Sequence, residues 1–342
     1  MSLRKLIISA GIGFISIVAL SAAAKAESTL QIVQKRGYLT CGSNEATLGF
    51  GLPNSKGYWE GLDIDTCRAM AVAIFADKDA ARFVPLSGAK RMTALAAGEV
   101  DYLPRTTIGT LQRDANGANF IPTNSYGYDG FMVRKSLGVA KVQDMAGASV
   151  CVQSGSTTEV TVSDISRALG LDLKLTLFEA PIAAREAFFA DRCDALIAGD
   201  SFLASVRANQ APNPDDYIIF PANDIINASR PAVRHGDDQW FDIAKWSFLA
   251  MVRAEEMGVT QSNVDEMLKS QDPNIRRFLG VEPGNGAALG LDEKFAYNIV
   301  KQLGNYAEMF DRNLGSKSKL KLSRGYNALV KDGGLMQSDP FN

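Results

Sequence analysis

One polar loop carries residue types that suit an anion. In the stretch GEVDYLPRTTIGTLQRD at 98–114, a strand-like run is ended by Pro104. The loop that follows places hydroxyl groups and a guanidinium close together, on Thr106, Thr107, Thr110 and Arg113. A guanidinium donates two charge-assisted hydrogen bonds to one carboxylate, and hydroxyl groups can satisfy the remaining lone pairs. The loop is therefore a candidate carboxylate site, although a polar turn with a solvated arginine explains the same residues.

Two further segments could bind the charges of a small ligand. In QSGSTTE (153–159) a strand ends and hydroxyl side chains open a helix, with Ser156 and Thr157 at its start. A helix N-terminus presents free N–H groups and attracts anions. Asp200 follows an apolar strand, at the edge where α/β sheets bind ligands. Each feature could also be an ordinary cap or turn, but Arg113, Thr157 and Asp200 together would suit both charges of an α-amino acid.

These residues need a scaffold, and the sequence predicts an α/β one. Short apolar strands alternate with amphipathic helices over the first two thirds of the chain, and the last third is mostly helical. No Pro- or Gly-rich linker separates two halves, which favours two lobes joined by several chain crossings. Strands are predicted at 37–43, 81–86, 98–103, 131–135, 148–153, 173–179, 193–198 and 218–221. Helices are predicted after Asp63, from Ser87 to Gly98, after 159, and at 184–192 and 237–258.

The N-terminus predicts export. Arg4 and Lys5 precede a 15-residue apolar run, and AKA at 24–26 is a small-residue cleavage site. The run is shorter than the roughly 20 residues of a membrane span, so an uncleaved anchor is the weaker alternative. Removal of 1–26, which also takes Lys25, leaves 316 residues, and the loss of three basic residues changes the formal charge from −2 to −5. This mildly acidic net charge does not indicate the basic surface that binding to nucleic acid requires.

The cysteines are even in number, which predicts two disulfides in an oxidising compartment such as the periplasm. Four cysteines allow three pairings. No two of them have a C-x-x-C spacing, and His235 is the single histidine, so neither a metal site nor a cofactor is expected. The cysteines are Cys41, Cys67, Cys151 and Cys193.

Longer stretches resemble a known family. GLDIDTCRAMAVAI at 61–74 is similar to the signature of the family 3 extracellular solute-binding proteins, which serve bacterial ABC importers of polar amino acids. Residues 82–103 follow the second strand–helix–strand unit of that family, and the similarity extends over 28–342. Three stretches resemble its general L-amino-acid-binding subgroup: VRHGDDQWFD (233–242), AEEMGVTQSNVDEM (254–267) and GNYAEMFDRNLG (304–315). The chain departs from the family at Thr66, and from the subgroup at Arg105 and at 108–109.

The resemblance implies a fold and a division of the chain. The fold is α/β, a type II periplasmic binding protein with two lobes joined by a two-strand hinge. Lobe 1 would be 27–129 and 231–342, and lobe 2 would be 130–230. Disulfides that stay within one lobe would then join Cys41 to Cys67 and Cys151 to Cys193.

The resemblance also implies roles for residues. The implied ligand contacts are Phe50, Thr106, Thr110, Arg113, Ser156, Thr157 and Asp200. Arg113 would bind the α-carboxylate, with the helix start at Ser156 and Thr157 closing on it from lobe 2. Asp200 would pair with the α-ammonium group. Phe50 would either line the side-chain pocket or simply pack within its loop.

The predicted function is that of a periplasmic substrate-binding component of an ABC transporter. It would capture an L-amino acid between the lobes and, as a monomer, deliver it to a membrane permease with its ATPase. Two alternatives use the same fold. One is a dehydratase-type enzyme, for which Glu45, Glu60 and Asp200 are available acids. The other is the ligand-sensing domain of a receptor or channel.

Overall fold

The computed structural model describes residues 27–44 and 47–341. The predicted export signal at 1–26 and the candidate acid Glu45 lie outside the described residues. The strands are β1 Leu39–Ser43, β2 Leu52–Pro53, β3 Trp59–Glu60, β4 Ala81–Pro85, β5 Ala118–Phe120, β6 Ser125–Gly127, β7 Asp129–Arg134, β8 Ser149–Gln153, β9 Lys174–Phe178, β10 Ala195–Gly199, β11 Tyr217–Pro221, β12 Asn227–Ser229 and β13 Ala232–Arg234. The helices are α1 Thr29–Arg36, α2 Leu62–Phe75, α3 Arg91–Ala97, α4 Leu111–Ala115, α5 Thr157–Leu169, α6 Pro181–Phe189, α7 Asp200–Gln210, α8 Asp238–Glu256, α9 Val264–Met267, α10 Pro273–Phe278, α11 Asn285–Leu289, α12 Phe295–Leu303 and α13 Tyr306–Asn313.

A five-stranded sheet forms one side of the molecule, in the order β11–β7–β10–β8–β9. β8 runs parallel to β9 and β10, whereas β7 pairs antiparallel with β10 and β11. Its apolar side chains are buried on both faces, where α5 packs on one side and α6 and α7 pack on the other. Continuous apolar runs are typical of strands covered on both faces. The carboxyl ends of β8 and β10 lead directly into α5 and α7, so both helix N-termini lie at one edge of this sheet.

The other side contains the parallel pair of strands β1 and β4. A very short extended segment lies next to this pair. The strand predicted at 98–103 is shorter in the structure, where Tyr102 bridges to β1 and Leu103 bridges to β13. Gly98 ends α3 with a φ of +77°, so the extended conformation begins only after this residue. The strand ends before Pro104, because proline has no N–H to donate to a neighbouring strand. The predicted strand was therefore correct in place but too long.

Helices cover this second side. α2 packs against α8, α12 and α13, and five aromatic side chains of the latter three helices are buried, those of Trp240, Phe248, Phe295, Tyr306 and Phe310. The indole N–H of Trp240 donates to the carbonyl of Asp101 at 3.0 Å, and Phe248 meets Tyr306 edge to face. Most aromatic residues of the last third therefore belong to the core or pack against it. Among the described residues, none of the helices has both the length and the apolar character that crossing a membrane requires.

Two pairs of strands connect the two sides. β6 pairs antiparallel with β12, and β5 pairs antiparallel with β13. β6 leads into β7, and the chain leaves β11 and returns through β12. Directly after β11, the amide of Ala222 donates to the carbonyl of Asp129 at 2.8 Å. The chain therefore enters and leaves the five-stranded sheet through two segments that lie side by side.

Two disulfides tie neighbouring elements together. Cys41 in β1 is bonded to Cys67 in α2, and Cys151 in β8 is bonded to Cys193, which precedes β10. These are the two pairs that were preferred from the sequence. Each bond closes a loop within one side of the molecule, with sequence separations of 26 and 42 residues.

We expect the Cys151–Cys193 bond to contribute strongly to stability. Replacing both cysteines by alanine releases a 42-residue restraint on the unfolded chain, which should lower the free energy of unfolding by about 4 kcal/mol. Urea unfolding followed by circular dichroism measures this loss. The Cys41 and Cys67 double variant, with the shorter separation, should show a loss of about 3.5 kcal/mol. Unchanged midpoints in both variants would contradict the expectation.

Candidate functional site

A cavity of about 170 Å³ lies where the two sides of the molecule meet. Its wall includes the loop after β1, the loop after residue 103, the crossing strands β6 and β12, and the starts of α5 and α7. The carboxyl ends of parallel strands are where α/β folds bind ligands. The charged and hydroxyl side chains of the wall are those of Thr47, Arg91, Arg105, Thr106, Ser125, Tyr126, Tyr128, Asp129, Ser156, Thr157, Thr158, Asp200, Ser201 and Ser229.

The cavity brings together five of the seven predicted contacts. Phe50, Thr106, Ser156, Thr157 and Asp200 line it. Phe50 is also part of the apolar core, so it both packs within its loop and faces the cavity. The other two predicted contacts, on the loop that first suggested a carboxylate site, do not line this cavity.

Arg113 lies beside the cavity and reaches toward the five-stranded sheet. Its Nη1 donates to the carbonyl of Ile108 at 2.7 Å, and its Nη2 lies 3.5 Å from the carbonyl of Gly155. The side chain is half-buried, and burial lowers its pKa because the charged form loses water. No carboxylate within 27–44 or 47–341 forms an ion pair with it. Arg113 is thus a partly desolvated cation next to the loop that opens α5.

Two of the predicted hydroxyl groups cap helices. Thr110 accepts the amide hydrogen of Arg113 at 3.3 Å and begins α4. Ser156 accepts from the amide of Glu159 at 3.1 Å and donates to the carbonyl of Gln153 at 2.7 Å. Both are therefore engaged in holding the loops in place. The first N–H groups of α5, from Thr157 onward, remain directed at the cavity end of the helix.

Asp200 is the first residue of α7 and a half-buried anion. Its amide donates to the carbonyl of Tyr128 at 2.9 Å, and the hydroxyl of Ser201 lies 3.3 Å from its Oδ1. Burial raises its pKa, the carboxylate of Asp129 adds to that effect, and the hydrogen bonds oppose it. In the described part of the chain no cation pairs with it. A carboxylate in this setting would be stabilised by a bound cation.

Gly127 in β6 allows Asp200 to approach the crossing strand. A Cβ atom at position 127 would lie 2.4 Å from Oδ1 of Asp200, closer than non-bonded atoms approach each other. Any side chain there would displace the carboxylate. The position of Asp200 therefore depends on a glycine in the strand that links the two sides.

A buried carboxylate beneath the wall was not predicted from the sequence. Asp63 lies at the start of α2, where the sequence predicts a helix, and it is fully buried. Its Oδ2 accepts from Asn44 at 3.0 Å and from the amide of Thr106 at 2.9 Å, and its Oδ1 accepts from Asn124 at 3.0 Å. Burial raises its pKa to about 7, against the lowering effect of these donors and of Arg105. One carboxylate thus joins three loops behind the cavity.

Two buried guanidinium groups were also missed. Arg91, the first residue of α3, and Arg105 both line the cavity, and each is less than 5% exposed. The N–H of Arg105 at Nε donates to the carbonyl of Leu86 at 2.6 Å. The sequence contains a signal that Arg91 is buried, because Arg91 lies four positions before Leu95 on the buried face of the predicted helix.

Comparison with known proteins identifies the family. The model of the bacterial extracellular solute-binding proteins, family 3, matches residues 39–264. The chain belongs to this family. It is 42% identical to the general L-amino acid-binding periplasmic protein AapJ of Rhizobium johnstonii over 99% of both chains. It is also 42% identical to the glutamate/glutamine/aspartate/asparagine-binding protein BztA of Rhodobacter capsulatus, over 97% of this chain and 99% of BztA.

Solved structures support the same fold. A periplasmic binding protein from Brucella ovis with glutathione bound is 42% identical, with a TM-score of 0.89 over 92% of this chain and all of that one. A cysteine-binding protein from Campylobacter jejuni shares the fold at 20% identity, with a TM-score of 0.60 over 73% of this chain and 97% of that one. The predicted α/β two-lobe fold of type II periplasmic binding proteins is therefore confirmed, as is the predicted family.

Asp63 should make stability depend on pH. Its folded-state pKa of about 7 lies above the ordinary value of 3.8, so the native fold binds this proton more tightly than the unfolded chain does. The stabilisation that this bound proton gives the native fold is complete below about pH 4 and is lost as the pH rises through about 7. We expect Asp63→Asn to remove this pH-dependent stabilisation. The difference in free energy of unfolding, native protein minus variant, should therefore fall by about 4 kcal/mol between pH 4 and pH 8.

The substitution can keep a hydrogen bond between positions 63 and 124. Oδ1 of Asn124 has no partner within 27–44 or 47–341, so rotation of that amide would let it accept from the side-chain N–H that Asp63→Asn introduces. Asp172→Asn is the matched control, because Asp172 is exposed and its φ of +50° suits asparagine. Urea unfolding at several pH values gives the comparison. A difference between native protein and Asp63→Asn that does not change with pH would show that folding does not shift the pKa of Asp63.

Proposed function

We propose that this protein is the periplasmic substrate-binding component of an ABC transporter and captures L-amino acids between its two lobes. Full-length similarity to relatives named as amino-acid-binding periplasmic proteins supports the proposal. The proposed partner is a membrane permease with its ATPase, to which the loaded protein delivers its ligand as a monomer. Binding without catalysis is part of the proposal.

The observation that carries the proposal is a set of opposite charges that line one cavity or lie directly beside it and have no ion-pair partners among the described residues. Arg113 and the start of α5 provide positive potential, and Asp200 beside Asp129 provides negative potential. The α-carboxylate and α-ammonium groups of an amino acid are separated by one carbon atom. A single zwitterion would therefore compensate both charged regions, each of which is already partly desolvated.

We propose that lobe 1 comprises 27–129 and 231–342 and that lobe 2 comprises 130–230. The pairing of β6 with β12 supports a hinge of two crossing strands. The five-stranded sheet lies between these strands in sequence, and α2 and α8 pack together outside them. Opening and closing of the cleft would then require small backbone changes in two short segments.

Contacts across the cleft indicate a closed arrangement. Lys90 of the turn before α3 forms an ion pair with Glu179 at 3.2 Å, and a Cβ atom at Gly155 would lie 3.1 Å from the Cα atom of Ala89. The exposed ion pair contributes little by itself. A ligand that contacts both lobes would supply the differential affinity that favours this closed state.

Arg113→Ala should abolish amino-acid binding. The guanidinium is the proposed main partner of the α-carboxylate, and losing charge-assisted hydrogen bonds of about 1.5–3 kcal/mol each should weaken binding at least ~100-fold. Isothermal titration calorimetry with a panel of L-amino acids measures the effect. Circular dichroism checks that the fold survives.

Two further variants make this test specific. Arg167→Ala removes an exposed arginine that pairs with Asp164, and binding should be unchanged. Arg113→Lys keeps the charge but not the planar pair of donors, so part of the affinity should return. Native affinity in Arg113→Ala would refute the assigned role.

Gly127→Ala should weaken binding by displacing the carboxylate of Asp200. The new methyl group displaces the carboxylate, and we expect at least a tenfold loss of affinity, matched by Asp200→Asn. Gly199→Ala is the control for a methyl group added to the cavity wall, since Gly199 lines the same cavity beside Asp200 and a Cβ atom there meets no other described atom within 4 Å. Calorimetric titration compares the three variants. Equal losses for Gly127→Ala and Gly199→Ala would show that crowding, not the position of Asp200, is responsible.

A further inference from the structure

The crossing strand β6 is held along one edge by a side chain. In the part of the chain that the structure describes, β12 is the one strand that pairs with it. The backbone of Tyr126, at the centre of β6, pairs with Asn327 instead. The amide of Tyr126 donates to Oδ1 of Asn327 at 2.7 Å, and Nδ2 of Asn327 donates to the carbonyl of Tyr126 at 2.9 Å. A carboxamide offers an acceptor and a donor side by side, so Asn327 takes the place that a further strand would occupy.

Asn327 belongs to the stretch that follows α13, residues 314–341, which we call the C-terminal segment. This segment lies beyond residues 39–264, which the family model matches. It contributes buried apolar side chains to the core of the side that contains α2, those of Leu314, Leu329, Met336 and Phe341. The C-terminal segment is therefore packed as part of that side, and Asn327 connects it to β6.

Arg324 fixes the backbone at Asn327. Its Nε and Nη2 donate to the carbonyl of Asn327 at 3.0 and 2.7 Å. Its Nη2 also lies 3.1 Å from both carboxylate oxygens of Glu255 in α8, and these two side chains are only 22% and 13% exposed. The guanidinium lies over the rings of Tyr306 and Phe310, 5.2 Å from each ring centroid, which adds a cation–π attraction. Asn327 is thus anchored to α8 and α13.

The strand that Asn327 holds leads directly into the cavity. Tyr126 lines the cavity, and the next residue, Gly127, is the one that Asp200 approaches. The hydroxyl of Tyr306 donates to the carbonyl of Asn124 at 2.9 Å, so the residue just before β6 is held from the same side. These contacts attach the chain to the side that contains α2 as far as Tyr126.

We propose that Asn327 is a positioning residue for ligand capture, which holds Tyr126 against lobe 1 and so keeps one wall of the cavity in its ligand-binding arrangement. This inference rests on the proposed function, because it concerns closure of the cleft around an amino acid. The bend of β6 during closure would then lie after Tyr126. A wall that is held before the ligand arrives raises affinity, since less conformational entropy is lost on binding.

Hydrogen exchange followed by mass spectrometry tests the hold on β6 without any ligand. Asn327→Leu removes both hydrogen bonds to Tyr126 at a similar side-chain size. We expect about tenfold faster exchange in peptides that contain β6, and native exchange in peptides that contain β8 and β10.

Asn263→Leu is the matched control. Asn263 also accepts from a backbone amide, that of Thr260 at 2.7 Å, and donates to a backbone carbonyl, that of Gly258 at 3.0 Å. Asn263 is not among the residues that line the cavity. We therefore expect Asn263→Leu to lose local hydrogen bonds while β6 keeps its native exchange.

Isothermal titration calorimetry then tests ligand capture. Native protein is titrated with a panel of the standard L-amino acids, and those that bind are titrated into the variants. Asn327→Leu should bind each of them about tenfold more weakly, with the order of preference unchanged, because the wall is loosened while its ligand-facing groups stay the same. Asn263→Leu should keep the native affinity. Arg324→Lys keeps a charge beside Glu255 but not the planar fork that holds Asn327, so it should show a smaller loss in the same direction.

The outcomes separate this inference from the proposed function. Native exchange at β6 in Asn327→Leu would overturn the hold on the strand, and faster exchange with native affinity would overturn its role in ligand capture. An equal loss of affinity in Asn263→Leu would also overturn that role, because lowered stability would then explain it. If no amino acid binds to the native protein, the proposed function itself fails and this inference fails with it. Both measurements on Arg324→Lys remain decisive if Asn327→Leu does not fold.

Discussion

One wall of the cavity depends on one buried carboxylate. Asp63 accepts hydrogen bonds from Asn44 after β1, from the amide of Thr106, and from Asn124 just before the crossing strand β6. Thr106 has a φ of +36°, a conformation that costs about 1–3 kcal/mol in a non-glycine residue and that the bond from its amide helps to hold. Three loops that are distant in sequence therefore share one acceptor group, and the polar groups that face the cavity are fixed relative to the hinge.

The charges that face the cavity are divided between the two sides of the molecule. The guanidinium groups come from the side that contains α2, whereas Asp200 and the start of α5 belong to the five-stranded sheet. On the proposed function, neither side alone could satisfy a zwitterion. Ligand capture and cleft closure would then be one coupled event, in which the bound state gains contacts that the open state lacks.

The sequence predicted the architecture better than the wall of the site. Alternating apolar strands and amphipathic helices, with Gly98 ending α3 and acids opening α8, have local signals that hold whatever surrounds them. The hydroxyl groups of Thr110 and Ser156 were predicted to contact a ligand, yet both cap helices, because the same residue types serve both purposes. Asp63 precedes a predicted helix and carries no local signal of burial, whereas Arg91 lies on the apolar face of its predicted helix. Only tertiary packing shows that both charged side chains are buried.

The disulfides reinforce the same elements that carry the site. Cys41 lies in β1, three positions before Asn44. Its partner Cys67 lies in α2, four positions after Asp63. In the other half of the molecule, Cys151 precedes the loop that opens α5, and its partner precedes β10, which ends at Asp200. Each bond thus joins the two elements whose ends form one side of the cavity. Each cross-link fixes the geometry within one side of the molecule, and neither spans the paired strands β6 and β12 that link the two sides.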